Sequence, residues 1–311
     1  MTAAVETTLP NDTSGANRMT VRQVPFVFSD RARSWNPDKP EFAHIVNAAS
    51  LAMPYLEPYL IKSMRQARDL INDPNLQAEL DLYIKQEATH YKRHRQFNQT
   101  LSDTGYAAVP ALEQSLAKDY KDLGQNRSLK FNLAYAEGFE SMALAIGEML
   151  IEDREYLFGQ SDSAVASLVL WHFVEEIEHK NVAFDVFHHL HASYVWRMIG
   201  LLYATGHIFW RTGQGYRALL KEDGLWHSWS SRWKLARVLV RVIGHILPKW
   251  FRIMRPGYHP SQAQDPVWAL AWAEAFESDD DAMAQLDTSR LMEAVPVGTT
   301  GLKTNSGAGA E

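Results

Sequence analysis

Four long segments of the chain carry apolar residues at helical spacing, and this pattern constrains the fold more than any other feature of the sequence. The segments cover residues 41–70, 74–102, 128–157 and 162–191. Polar turn residues such as Asn72-Asp73-Pro74 separate neighbouring segments, and short connectors are typical of antiparallel helices. The sequence therefore predicts an all-α fold built on a four-helix bundle over about residues 41–191.

Further helices are predicted at residues 195–220, 230–254 and 265–277. Together with the bundle they define one helical domain over residues 21–277. Residues 1–20 are small and polar, and residues 278–311 carry an acidic run and a Gly/Thr/Ser/Ala tail, so we expect both ends to be disordered. Pro54 and Pro58 fall inside the first long segment and predict a kink or a break there.

The composition limits the kinds of site that the chain can build. The absence of cysteine excludes disulfides, thiolate zinc sites and iron–sulfur clusters, so any metal must be held by His, Asp or Glu. A net charge of −6 gives no reason to expect a nucleic-acid partner. The N-terminus lacks the pattern of a secretory signal, and no apolar stretch is long enough to span a bilayer. We therefore expect a cytoplasmic protein.

Two of the predicted helices carry Glu-x-x-His pairs in apolar surroundings. On the second helix, Glu87, His90 and His94 fall on one face. On the fourth helix, the residues that share a face are His172, Glu176 and His179, with Glu175 at its edge. A carboxylate and an imidazole three residues apart point the same way and can bind one metal ion. Glu41 and His44 have the same spacing near a helix start, and we interpret them as a chance match.

The other two helices offer isolated carboxylates, which are costly to bury unless they are paired or bound to metal. The first helix has Glu57, and the third has Glu137 and Glu140. The order Glu, Glu-x-x-His, Glu, Glu-x-x-His is typical of ferritin-like bundles that hold two metal ions between their helices. The sequence leaves open whether Glu137 or Glu140, and whether Glu175 or Glu176, binds metal.

From about residue 25 to residue 275 the chain resembles the predicted metal-dependent hydrolases, a branch of the ferritin-like superfamily. The resemblance is carried by AASLAMPYLEPYLIKSMR, QEATHYKRHRQFN, AEGF, WHFVEEIEHKNVAFDVF and RPGYHP. It implies that the metal ligands are Glu57, Glu87, His90, Glu137, Glu176 and His179, with His94, His172 and Glu175 close by. Two positions depart from the family pattern, Leu56 and Gly138. We expect Gly138 to open space beside the metals.

The donor set predicts two iron ions, although manganese or zinc would also suit it. We expect a di-iron oxidase or oxygenase that activates dioxygen to oxidise a lipophilic or acyl-type small molecule. One alternative is a two-metal hydrolase acting on an ester or a phosphate. Another is a non-catalytic metal-binding or iron-storage bundle.

Residues 232–255 contain seven Lys or Arg and no acidic residue, and apolar residues share the opposite face. This segment predicts either a surface helix packed on the bundle or a basic amphipathic helix that contacts anionic lipid or a lipophilic substrate. The second interpretation would place the protein peripherally at the inner membrane face. The sequence is also compatible with a homodimer.

Overall fold

The computed structural model describes residues 19–276 and 280–299. Within them the only β-structure is an isolated bridge between Leu286 and Gly298, which confirms the predicted all-α fold. In chain order the α-helices are α1 (Pro40–Ser50), α2 (Met53–Arg68), α3 (Pro74–Asp103), α4 (Val109–Asn126), α5 (Leu129–Glu152), α6 (Arg154–Phe158), α7 (Ser163–Glu178), α8 (Val182–His191), α9 (Tyr194–Glu222), α10 (Trp229–Ile253), α11 (Val267–Phe276) and α12 (Asp280–Ala284). None of the described helices combines the length and the apolar content needed to cross a membrane.

Helix α5 lies at the centre of the molecule. It is buried on all sides, which is typical of a helix that is apolar all round. It packs against α2, α7, α8 and α9, while α2 also packs against α3. The four helices predicted to form the bundle therefore enclose a common core.

The first and fourth predicted helices are each divided in the structure. Residues 41–70 form α1 and α2, with a turn at Leu51 and Ala52. Pro54 lies in the first turn of α2, where its missing N–H leaves no hydrogen bond unmade, so the proline favours a helix start rather than a kink. Residues 162–191 form α7 and α8, and α7 ends at Glu178 with His179 as its C-cap.

Helix α4 has no counterpart in the sequence prediction. Its buried residues are confined to Val109, Leu116, Tyr120 and Leu123, so its apolar stripe is narrow and interrupted by polar residues. Its N-cap, Ala108, makes no side-chain capping bond and gives no start signal.

Helix α9 approaches α5 so closely that only glycine fits at the contact. A Cβ on Gly138 would lie 2.3 Å from the backbone nitrogen of Leu201, and a Cβ on Gly200 would lie 1.8 Å from the carbonyl oxygen of Ala134. The expectation that Gly138 opens space beside the metals is therefore wrong. Its missing side chain admits the backbone of α9.

The C-terminal region differs from the disordered tail predicted from residue 278. In residues 280–299, the side chains of Met283, Ala284, Leu286 and Leu291 are buried in the core. Leu286 is also held to α7, because its N–H donates to Ser167 Oγ and its carbonyl accepts from Ser163. Residues 1–18 of the predicted arm, residue 277, and residues 278, 279 and 300–311 of the predicted tail lie outside the described residues.

Candidate metal centre

Carboxylate and imidazole side chains from α2, α3, α5 and α7 with its C-cap converge in the core. Among the described residues they form two groups, in each of which the potential ligand atoms all lie within 4.8 Å of one another. The first group is Glu57, His90 and His172, and the second is Glu87, Glu140, Glu176 and His179. All seven side chains are buried.

Two carboxylates lie between the groups. Glu87 Oε1 is 3.6 Å from His90 Nδ1 and 3.4 Å from His179 Nε2. Glu176 places Oε1 at 3.9 Å from His90 Nδ1 and Oε2 at 3.2 Å from His179 Nε2. Each carboxylate therefore faces one imidazole of either group, which is the arrangement of a residue that bridges two ions.

One further carboxylate comes from each of the two remaining helices. Glu57 on α2 lies 3.9 Å from His172 Nε2, and its two oxygens have no hydrogen-bond partner among the described residues. Glu140 on α5 accepts a 2.7 Å hydrogen bond from the Tyr83 hydroxyl, and its other oxygen lies 3.6 Å from His179 Nε2. Each group thus includes one carboxylate from a helix that carries no Glu-x-x-His pair.

A hydrogen bond made by one ring nitrogen of His90 leaves the other nitrogen to face the carboxylates. His90 Nε2 lies 2.9 Å from Glu175 Oε2, and since a carboxylate only accepts, Nε2–H donates. Glu175 in turn accepts hydrogen bonds from Trp171 Nε1 at 3.0 Å and from Arg22 at 3.2 Å. Partners of this kind orient metal-binding imidazoles, so His90 Nδ1 is the atom that remains for an ion.

The same logic applies to His179. The Gln86 amide nitrogen donates to the carbonyl of Thr20 and to Glu178, so its oxygen is left to accept from His179 Nδ1 at 3.1 Å. Nε2 of His179 therefore presents its lone pair to Glu87, Glu140 and Glu176.

The third imidazole, that of His172, is oriented by a chain of three other side chains. The Asn98 amide nitrogen donates to the Ser50 carbonyl, and the Ser50 hydroxyl donates to Asn98 Oδ1 at 2.7 Å. Ser50 Oγ then accepts from His94 Nδ1 at 2.8 Å, and His94 Nε2 accepts from His172 Nδ1 at 2.7 Å. His172 Nε2 is consequently left without a proton, 2.9 Å from Glu176 Oε1. Two hydrogen-bond acceptors so close together repel each other unless a cation lies between or beside them.

The electrostatics also indicate a missing positive charge. Burial raises the pKa of Glu57 well above its usual value, and Glu87, Glu176 and Glu140 raise it further. The pKa of Glu140 is raised by burial and by Glu176 in the same way. Both oxygens of Glu87 and Nδ1 of His90 are buried without a hydrogen-bond partner among the described residues. Buried acceptors and charges of this kind are costly unless a metal ion binds them, so the residues present fit a two-metal centre.

Glu137 lies outside both groups, although the family resemblance had implied it as a ligand. Its carboxylate accepts from Ser141 Oγ at 3.1 Å and lies 3.8 Å from Arg197 Nη1. Burial raises the pKa of Glu137 to about 8, while Arg197 and Ser141 act in the opposite direction. The structure therefore brings Glu140, and not Glu137, to the cluster.

His94 and Glu175, both named as ligand candidates, are also outside the two groups, and each instead orients an imidazole. The sequence pattern had not singled out Tyr83 and Trp171. Each lies four residues before a glutamate of its own helix, Glu87 and Glu175, and could have been found from that helical spacing. No local sequence pattern points to Arg22, because it acts through hydrogen bonds to Glu175 and Glu178, about 150 positions away.

A family model described as predicted metal-dependent hydrolase matches residues 20–264, which include every side chain of both groups. No curated protein and no solved structure matches the chain. The match contradicts the prediction of a dioxygen-activating di-iron oxidase or oxygenase, because the family is described by hydrolysis and not by oxidation. It also confirms the family resemblance carried by the sequence motifs. The chain belongs to the family of predicted metal-dependent hydrolases.

Proposed function

We propose that the chain is a two-metal hydrolase whose ions lie between α2, α3, α5 and α7 in a ferritin-like arrangement. One ion would be held by Glu57, His90 and His172, and the other by Glu140 and His179. Glu87 and Glu176 would bridge the two. The observation that carries this proposal is the position of these two carboxylates, each facing an imidazole of either group. One carboxylate from each of two helices and a Glu-x-x-His pair from each of the others is the ligand set of ferritin-like bundles.

The proposed ions are divalent. Oxygen-rich donor sets with some imidazole suit manganese, iron(II) and zinc. Four carboxylates, those of Glu57, Glu87, Glu140 and Glu176, balance the charge of two divalent ions. The neighbouring Glu175 and Glu178 are paired with Arg22, which approaches them at 3.2 Å and 2.6 Å.

A pair of such ions lowers the pKa of a bound water and polarises the carbonyl or phosphoryl oxygen of a substrate. The chain's own residues would keep the donors in place: Tyr83 holds Glu140, Glu175 holds His90, and His94 holds His172. The buried surroundings limit the access of bulk water to these groups.

The balance between the four carboxylates and two divalent ions limits the classes of substrate that the site would attract. A centre with no large net positive charge offers little attraction to a dianionic phosphate monoester, whereas it can polarise a neutral carbonyl. The site is also enclosed by an apolar core, which favours a substrate with apolar substituents. We therefore propose a lipophilic carboxylic ester as the substrate class, with the phosphate as the weaker candidate.

The test uses the full chain, stripped with a chelator and reloaded separately with manganese, iron(II) or zinc. We expect about two ions per chain by elemental analysis, and metal-dependent hydrolysis of p-nitrophenyl esters that exceeds hydrolysis of p-nitrophenyl phosphate. Glu87→Gln and His179→Gln should each lose metal and activity. Glu137→Gln is the matched control, since it changes a buried carboxylate outside both groups and should keep its metal.

Two results would overturn the proposal. One is full metal occupancy in both Glu87→Gln and His179→Gln. The other is a fully loaded protein that hydrolyses neither the esters nor the phosphate above the rate of the metal-free chain.

A further inference from the structure

Helix α10 exposes a row of large apolar side chains although its opposite face already packs on the core. The inner face contributes Leu235, Val238, Val242 and Ile246 to the core cluster. Six large apolar side chains on the other face are exposed, and we call them the outer row: Trp229, Trp233, Val240, Ile243, Leu247 and Phe251. Trp229 is 88% exposed and Val240 is 74% exposed, so nothing in the described chain covers them.

The outer row is continuous and long. Its members are spaced by three, four or seven residues, so they fall on one side of the helix. From Trp229 to Phe251 the row extends about 33 Å at the rise of an α-helix. A helix that is apolar on two sides is usually covered on both, and a contiguous apolar patch on a surface marks an interaction site.

Six of the seven basic residues of the segment 232–255 divide into two sets with different roles, while the seventh, Arg232, lies over the rings of Tyr216 and Trp226. Those at the inner edge hold the helix to α5 and the residue after it: Arg241 pairs with Asp153, while Lys249 and Arg252 pair with Glu148. The others, Lys234, Arg237 and, just beyond the helix, Arg255, are exposed and form no ion pair with any described residue. These three cations flank the outer row.

A surface cavity of about 710 Å³ adjoins the outer row, because Trp233 and Val240 line both. Lys39 of the segment before α1 and Lys234 and Arg237 of α10 also line it, together with the acidic Asp38 and Glu41. The side of the outer row that carries cations is therefore concave and could accommodate a phosphate headgroup.

We propose that the outer row of α10 docks on the surface of a bilayer that contains anionic phospholipid. The apolar side chains would enter the boundary between headgroups and acyl chains, where tryptophan is favoured, and the flanking cations would meet lipid phosphates. This inference is independent of the proposed hydrolysis, because it depends on α10 and on none of the metal-binding residues.

A second copy of the chain fits the outer row less well. In a two-fold dimer the outer row would meet itself, so the flanking cations of each copy would lie close to the equally basic α10 of the other copy and repel it. The segment from residue 229 to residue 255 contains no acidic residue that could offset this repulsion. An anionic membrane supplies the missing negative charge.

The test measures co-sedimentation of the metal-loaded full chain with vesicles. One set of vesicles is phosphatidylcholine, and the other is an equal mixture of phosphatidylcholine and phosphatidylglycerol. We expect at least tenfold stronger partitioning onto the mixed vesicles, weakened by added salt, because each cation near an anionic surface contributes favourably. The Trp229→Ser/Trp233→Ser variant should lose binding to both kinds of vesicle.

The charge variant is Lys234→Glu with Arg237→Glu, which should reduce partitioning onto the mixed vesicles at least tenfold. Its matched control is Lys62→Glu with Arg65→Glu, two exposed cations at the same spacing on α2, which should bind as the unmodified chain does. Metal content and circular dichroism verify that each variant is folded.

Three outcomes would overturn the proposal. The first is equal partitioning onto neutral and anionic vesicles, and the second is equal loss in the Lys62/Arg65 control. The third is a dimer, detected by light scattering without vesicles, that Trp229→Ser/Trp233→Ser converts to a monomer while the unmodified chain binds no lipid. That result would assign the outer row to a second copy.

Discussion

His94 Nε2 lies 2.7 Å from His172 Nδ1, and this contact decides which nitrogen of His172 faces the carboxylate cluster. Because Ser50 accepts the proton on the other side of His94, the contact can be made only with His172 as the donor. A serine on α1 thus controls the protonation of an imidazole on α7 through a residue of α3. Burial lowers the pKa of His94, and nearby His172 and His90 lower it further, which keeps this connection neutral.

Replacing Ser50 with alanine should weaken metal binding. The variant removes the acceptor for His94 Nδ1–H, so His94 is free to take the other tautomer and to donate its proton toward His172. We expect the affinity for zinc or manganese to fall about tenfold, the lower end of the effect of losing a group that orients a ligand. Competition with a chromophoric chelator measures this. Ser63→Ala is the control, since Ser63 is also buried but donates only to the Tyr59 carbonyl.

Replacing Glu175 with glutamine should have a larger effect. The amide keeps the size of the side chain but loses the negative charge that accepts from His90 Nε2 at 2.9 Å. We expect a 10- to 100-fold loss of metal affinity, with the helical content unchanged. Unchanged affinity in the same chelator competition would show that Glu175 does not orient His90.

Metal binding should release protons. Although burial opposes its charge, the hydrogen bond to Glu175 and the nearby carboxylate of Glu87 raise the pKa of His90 to about 9, so the metal-free ring carries both protons at neutral pH. Burial also keeps Glu57 and Glu140 protonated above the usual range. An ion must displace these protons, so affinity should fall as the pH is lowered. Calorimetry in two buffers of different ionisation enthalpy counts the protons, and no release at neutral pH would contradict the prediction.

Replacing Gly138 with alanine should destabilise the fold. The new Cβ would lie 2.3 Å from the Leu201 backbone nitrogen, so α9 would have to move away from α5. We expect the free energy of unfolding to fall by about 3 kcal/mol or more, at the upper end of overpacking effects. Urea denaturation measures the change. Gly206→Ala, on α9 with no atom within 4 Å of the added Cβ, should instead stabilise by about 0.5 to 1 kcal/mol.

The helices and four of the site residues could be predicted because helical spacing is a local property. Glu87 with His90, and Glu176 with His179, are each three residues apart on an apolar helix, so one turn of sequence contains the signal. The spacing did not reveal that α7 ends at Glu178, since a ligand at a helix end and a ligand inside a helix share the same sequence pattern.

The choice between Glu137 and Glu140 could not be made from the sequence. Both lie in the same apolar helix, and what separates them is the partner that each finds: Arg197 of α9 for Glu137, and Tyr83 of α3 for Glu140. The reaction could not be predicted either, because buried carboxylates and imidazoles suit oxidation and hydrolysis equally. The family match favours hydrolysis over oxidation.

The position of His179 just after α7 has a consequence for how the molecule assembles. His179 is the C-cap of α7 and begins the turn into α8, whose first residue is Val182. An ion bound by His179 Nε2 and Glu140 would tie this corner to the central helix and set the direction in which the chain continues. Loading the metal would then lock the α7–α8 corner in place as well as supply reactivity.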